Sequence, residues 1–175
     1  QMSLSRIEKL INSLKDESYQ PQPSKRVYIP KKNGKMRPLG VPAFNDKLLQ
    51  EVVRTILEAI YERQFEKTSH GFRPQRSCHT ALTEVQKTFS GVKWFVEGDI
   101  KGFFDNINHE ILIGVLKERI ADERFIRLIR KFLNAGYIEN WNFHNSYSGT
   151  PQGGIVSPIL ANIYLDRLDK FMKEY

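Results

Sequence analysis

Two aspartates, Asp99 and Asp105, bracket a pair of phenylalanines in VEGDIKGFFDNINHE, directly after an apolar run. A carboxylate at the C-terminal end of a strand is well placed to hold a hard cation. Mg²⁺ takes one or two protein carboxylates and completes its shell with water and substrate phosphate oxygens. Two such ions stabilise both the attacking and the leaving oxygen of a phosphoryl displacement. The alternation in KWFVEGD predicts a strand over 94–99 with Phe95, Glu97 and Asp99 on one face. The same carboxylates have a plainer use, Asp99 capping the turn into IKGFFDN and Asp105 capping the helix that follows. Periodicity leaves Asp99 open between the two uses and favours the cap for Asp105. Phe103 and Phe104 are core residues by type, although a ring set against a sugar can sense a 2′-hydroxyl by its bulk.

The second concentration of chemistry is cationic. Residues 21–40 hold six basic side chains, Lys25, Arg26, Lys31, Lys32, Lys35 and Arg37, and no acidic one. Asn33-Gly34 sits between two short extended runs, which predicts a β-hairpin over 25–41 with a tight turn. Such an arm can close its Lys and Arg heads on phosphates; it can equally be a solvated edge that uses lysine against unwanted strand pairing.

These groups must be positioned by elements read from period and caps. Leu4, Ile7, Leu10, Ile11 and Leu14 predict an amphipathic helix over 3–16, with Ser3 or Ser5 as N-cap. A long helix is expected over 45–65, another from the Ser77 cap to about residue 88, and two more over 108–119 and 122–133. Arg124, Arg127 and Arg130 recur on one face of the last of these and read as a solvated face. A weak hairpin is expected in YIENWNFHNSYSG, and a final helix from Ser157 as N-cap with Pro158 at its first position. The mixture of helices with a few strands is α+β.

Composition bounds the partners. The 175 residues carry 27 Lys and Arg against 20 Asp and Glu, a balance that favours a polyanion. No apolar run reaches the roughly 20 residues that span a bilayer, and the N-terminus has no signal-peptide apolar segment, so a cytoplasmic location and no membrane partner are expected. The single Cys78 excludes an internal disulfide framework and, beside His70 and His79, makes a poor zinc site.

Four ordered stretches, YIPKKNGKMRPLGVP, SHGFRPQRSCHTAL, EGDIKGFFDNINH and GTPQGGIVSPILANIYLD, together resemble the group II intron-encoded reverse transcriptases, also called maturases. The resemblance covers nearly all of residues 3–175. It implies a right-hand polymerase: residues 1–90 as N-terminal extension and fingers (helix 1–20, hairpin 25–41), and 91–175 as a partial palm with inserted fingers helices. Asp99 then matches a catalytic metal-binding aspartate and the Ile100 carbonyl a second metal contact. Phe104 matches an aromatic gate against ribonucleotides. Lys31 and Arg37 match residues that grip the incoming triphosphate, with Lys32 as an alternative to Lys31. Gln152 matches a residue that contacts the nucleotide near sugar and base. Arg73 and Arg76 match a segment near the template, and with Lys25, Arg26 and Lys35 are expected to contact RNA.

The activity so implied is RNA-directed DNA polymerisation with a role in intron splicing and mobility. Mg²⁺ is the implied cofactor, a deoxynucleoside triphosphate the substrate, and intron RNA template and DNA primer the partners. The family's Tyr-Ala-Asp-Asp string is nowhere in the sequence, and Asp166 and Asp169, i,i+3 on the final helix, cannot stand in for it. The expectation is that this chain stops before that motif, the thumb and the maturase domain, binds RNA, and is catalytically incomplete alone. The alternatives are a noncatalytic RNA-binding module, or a reverse transcriptase of the retron, diversity-generating or CRISPR-associated kind. Exposed apolar surface on a partial palm would also allow a homodimer.

Overall fold

A computed structural model of the chain describes residues 3–32, 34–150 and 153–174. The order is α1 (Leu4–Lys15), β1 (Ser24–Pro30), β2 (Met36–Val41), α2 (Phe44–Tyr61), α3 (Cys78–Thr88), α4 (Phe103–Asn106), α5 (His109–Lys117), α6 (Glu123–Leu133), β3 (Tyr137–Glu139), β4 (Asn142–His144) and α7 (Ser157–Lys173). The fold is α+β, as the pattern of helices and short strands implies.

The core lies among four helices. Leu49, Val53, Leu57 and Tyr61 of α2 meet Leu112, Ile113 and Leu116 of α5, Ile126, Ile129, Phe132 and Leu133 of α6, and Ile159, Leu160 and Ile163 of α7. In each helix these positions recur three or four residues apart, so the sequence period is also the buried face. Leu57, Leu112, Leu116 and Leu160 are fully buried, each contributing about 1.5–3 kcal/mol by leaving water. Burial also pushes the Tyr61 phenol up to about 12; its hydroxyl donates to the Leu116 carbonyl at 3.4 Å.

α1 is capped by Ser3, which accepts from the Arg6 amide. Its C-terminal end is held by the arginine row of α6: Arg124 and Arg127 pair with Glu17, while Arg130 pairs with Glu110 of α5. The row is a solvated face, as expected, and its side chains also clamp neighbouring elements. Past α1, the connector is anchored on the buried Asp46 of α2, whose two carboxylate oxygens accept from the Tyr19 hydroxyl and the Gln22 amide.

The sheet is mixed, in the order β2-β1-β3-β4. β1 and β2 form the expected hairpin, with Ile29 opposite Arg37 and Pro30 opposite Met36. Its turn is closed by the Lys31 amide on the Lys35 carbonyl at 2.7 Å and the Gly34 amide on the Lys31 carbonyl at 3.0 Å; Asn33 lies outside the described residues. β3 joins β1 in parallel at Ser24 and Lys25. Arg26 lies 3.6 Å over the Tyr137 ring and pairs with Glu139.

Three local expectations are corrected. Residues 94–99 form no strand: they are exposed, with Trp94 at 90% and Val96 at 99%. A strand needs a neighbour to complete its ladder, and among the described residues none flanks this run. Asp105 does not cap the next helix; it lies inside α4, and Asn108 caps α5 by accepting from the Ile111 amide at 3.0 Å. Likewise Val156, not Ser157, is the N-cap of α7, and Ser157 is its first helical residue.

Candidate active site

One cleft of about 850 Å³ gathers the expected catalytic and nucleotide-binding residues that fall among the described ones. Lys31 and Arg37 line it from the hairpin, Asp99, Ile100, Phe104 and Asp105 from the turn around α4, and Gly153 and Gly154 from the loop before α7. Three chemistries thus face one space: two cations, two carboxylates, and aromatic and backbone surface. Lys31, Arg37 and Asp99 are exposed, and none has an ion-pair partner among the described residues. Their charge is therefore uncompensated among the described residues.

Several contacts fix the turn that carries the carboxylates. The Thr150 amide donates to the Phe104 carbonyl at 2.7 Å, the Gly149 amide to the Ile107 carbonyl at 2.8 Å, and the Ser148 hydroxyl to the Asp105 carbonyl at 3.0 Å. Gly149 has φ +79°, and a Cβ there would lie 2.5 Å from the Phe104 carbonyl oxygen; only glycine lets the two loops come this close. Behind them the buried His109 donates from Nε2 to the Gly149 carbonyl at 2.7 Å, with Nδ1 3.2 Å from the Asn134 side-chain oxygen. Phe103 and Phe104 pack edge to face, their centroids 5.8 Å apart, and Phe103 meets Tyr164 in the same way. Both rings contact the core and both line the cleft.

The loop before α7 is pinned as well. Gly153, at φ +104°, would place a Cβ 2.5 Å from the Gly40 carbonyl oxygen of β2. The buried Gln50 of α2 accepts from the Ile155 amide at 2.8 Å. Gln152, expected beside the nucleotide, lies outside the described residues.

The other expected contacts fall elsewhere. Lys25 and Lys35 are exposed on the hairpin but do not line the cleft, and Arg26 is engaged with Tyr137 and Glu139. Arg76 is half-buried and donates to the Lys67 carbonyl. Arg73 is a correction: its side chain is 5% exposed, and all five guanidinium N–H groups are used inside the protein. Nε and Nη2 bind the Glu62 carboxylate, and Nη1 and Nη2 bind the carbonyls of Glu66, Ser69 and Glu62. No donor remains for RNA phosphate, because the loop between α2 and α3 supplies the acceptors that solvent or a ligand would otherwise provide.

Two cleft residues were missed from sequence. Asp105 was read as a cap, and Phe72 was not singled out; the backbone conformation that puts Phe72 in the cleft has no sequence signature at a bulky aromatic.

As a place for metal, Asp99 and Asp105 line the cleft with carboxylates, and Ile100 between them carries a backbone carbonyl; hard oxygen is the donor type Mg²⁺ prefers. Among the described residues no cluster of three or more His, Cys, Asp or Glu is arranged to hold a metal. The donors suit an ion shared with substrate phosphates; they do not make an all-protein cage.

Two cations and two carboxylates thus share one space of about 850 Å³. The reverse transcriptase (RNA-dependent DNA polymerase) family pattern matches residues 29–175, and the chain belongs to that family. Within it the chain goes with the group II intron-encoded members. It is 64% identical over 171 residues to the group II intron-encoded protein LtrA of Lactococcus lactis subsp. cremoris, covering 97% of this chain and 28% of that protein. It is 44% identical over 161 residues to protein YkfC of Escherichia coli K12, covering 89% of this chain and 42% of that one. The chain therefore spans well under half the length of these relatives. Among solved structures, a partial Cas6-RT-Cas1–Cas2 complex superposes with a TM-score of 0.55 at 24% identity, over 98% of this chain and 30% of that one, a likeness of fold. No helix of the described residues is long and apolar enough to cross a membrane.

Proposed function

We propose that the chain forms the triphosphate-gripping and first metal-binding portion of an RNA-directed DNA polymerase encoded by a group II intron. In this reading residues 1–90 are the N-terminal extension and fingers, and 91–175 part of the palm. The observation that supports it is the convergence of Lys31, Arg37, Asp99, Ile100 and Phe104 on one cleft, from two segments distant in sequence. Lys31 and Arg37 bind the triphosphate oxygens of a deoxynucleotide, Arg37 through its planar fork. Phe104, braced by Phe103 and the loop at Gly149, limits the space at the sugar. Asp99, with Asp105 and the Ile100 carbonyl, would hold Mg²⁺, which when bound neutralises developing charge on the phosphoryl oxygens.

The Tyr-Ala-Asp-Asp aspartates are not in this sequence, so the chain by itself is expected to bind nucleotide and RNA without extending a primer. Titrating a Mg²⁺-bound deoxynucleoside triphosphate tests this. Lys31→Ala and Arg37→Ala should each weaken binding by roughly 10- to 100-fold, the scale of a lost charge-assisted contact. Unchanged binding in both variants would sink the reading, and primer extension abolished by Asp99→Ala would overturn the claim of incompleteness.

A second reading, a noncatalytic anchor for structured intron RNA, rests on the uncompensated charge of residues 21–40. Binding to an intron RNA and to an unrelated RNA across a salt series separates the two uses. Preference that survives rising salt marks shape recognition, and equal affinity that falls steeply marks phosphate tracking alone.

A further inference from the structure

We infer that Phe72 is a stacking platform for a nucleobase entering the cleft, an inference that rests on the cleft's reading as a nucleotide site. Phe72 is 75% exposed and lines the same cleft as the charged groups. Its φ of +53° is the left-handed region, where a bulky side chain is a true outlier that persists only if its surroundings over-determine it.

The surroundings do so. The next residue is Arg73, whose guanidinium is fully committed to Glu62 and to three carbonyls of the loop. The residue before, Gly71, has its carbonyl held by the Asn162 side chain of α7 at 2.8 Å. A strained backbone locked on both sides thus presents an apolar ring to solvent, and the ring has no aromatic partner among the described residues. Core packing does not explain it, because the ring is mostly exposed. Strain of this kind is retained where the side chain's position is used.

The use follows from the distribution of chemistry in the cleft. Lys31 and Arg37 match phosphates, Asp99 and Asp105 match a cation, and Phe72, Pro158 and Leu165 add apolar lining. A nucleobase is the part of a nucleotide left without a complement by the charged groups, and a π-face accepts any base. The base can come from a strand or from a free triphosphate, and both present the same chemistry.

The test uses the 175-residue chain with two probes, a single-stranded oligoribonucleotide carrying 2-aminopurine and a deoxynucleoside triphosphate with a fluorescent base. Phe72→Ala and Phe72→Leu should each lose roughly 5- to 150-fold in affinity for the probe that supplies the base, together with its quench. Phe72→Trp should keep both. Loss confined to the oligonucleotide assigns the strand, and loss confined to the triphosphate assigns the incoming nucleotide. Because the ring is exposed, the melting temperature should not fall, and Phe72→Gly should raise it by relieving the strain. If Phe72→Ala leaves both probes unaffected while Lys31→Ala still weakens the triphosphate, the platform is refuted and the cleft's reading stands. If Lys31→Ala and Arg37→Ala are silent too, both fall.

Discussion

Arg73 and Glu62 form a fork across the end of α2, with Nε 3.1 Å and Nη2 2.8 Å from the same carboxylate oxygen. The remaining donors close on backbone carbonyls, and the guanidinium carbon lies 5.3 Å from the Phe65 ring centroid. A single side chain thus organises the loop that carries Phe72 into the cleft.

Lysine cannot replace it. It keeps the charge but offers three donors from one point instead of five in a plane, so loop carbonyls lose their partners in a buried place. Arg73→Lys should destabilise the protein by about 1–3 kcal/mol in urea unfolding. It should also weaken binding at the cleft through the displaced Phe72, though Arg73 itself touches no ligand. Full stability in the lysine variant would show that the loop is held by other contacts.

Gly149 gives the corresponding test for the carboxylate turn. A methyl there must push the Phe104–Asp105 backbone away, since the nearest atoms are main chain at 2.5–2.8 Å and cannot rotate aside. Gly149→Ala should cost at least about 2 kcal/mol from the left-handed conformation and the displaced backbone together. Triphosphate binding should fall even where the variant remains folded, and scanning calorimetry with nucleotide titration on one sample reads both.

The helices were legible because their apolar period coincides with the buried face: Leu49, Val53 and Leu57 could be placed from spacing alone, and Ser77 marked the start of α3. The hairpin was legible from its turn, and Lys31, Arg37, Asp99, Ile100 and Phe104 from the motifs around them. What spacing could not convey was partnership. The run at 94–99 has strand composition, but composition does not supply a neighbouring strand. Arg73, in a polar segment with Pro74 and Arg76, reads as surface; it is buried because Glu62 and the carbonyls of residues 62–69 converge on it, a tertiary fact. Asp105 and Asn108 are both good caps by type, and the short helix α4 takes up Asp105 and leaves Asn108 to cap α5.

Asp46 anchors the connector between α1 and the hairpin, and its removal should be felt there. Asp46→Ala leaves the Tyr19 hydroxyl and the Gln22 amide without their acceptor, at a cost of about 1–3 kcal/mol. Amide exchange should quicken around residues 19–22 more than in α5 or α6. Uniform quickening across the molecule would mean that the bond supports global folding and not this connector.

Asp169 on α7 yields a pH dependence whose sign is opposite to that of a salt-bridged carboxylate. Burial first, then the neighbouring Asp166 and Glu66, push its carboxyl above the ordinary value of 3.8, with Arg73 opposing. The folded protein therefore holds this proton more tightly than the unfolded chain does. Below the unfolded value both states are protonated and the site costs nothing; as pH rises from there through the folded value, the charge comes to oppose folding, and the penalty persists at neutral pH. Asp169→Asn should accordingly raise the melting temperature at pH 7, and the gain should shrink as the pH falls below about 4. A gain independent of pH would assign the effect to packing, and a loss at pH 7 would mean that Asp169 is held by Arg73 more strongly than it is repelled by the two carboxylates.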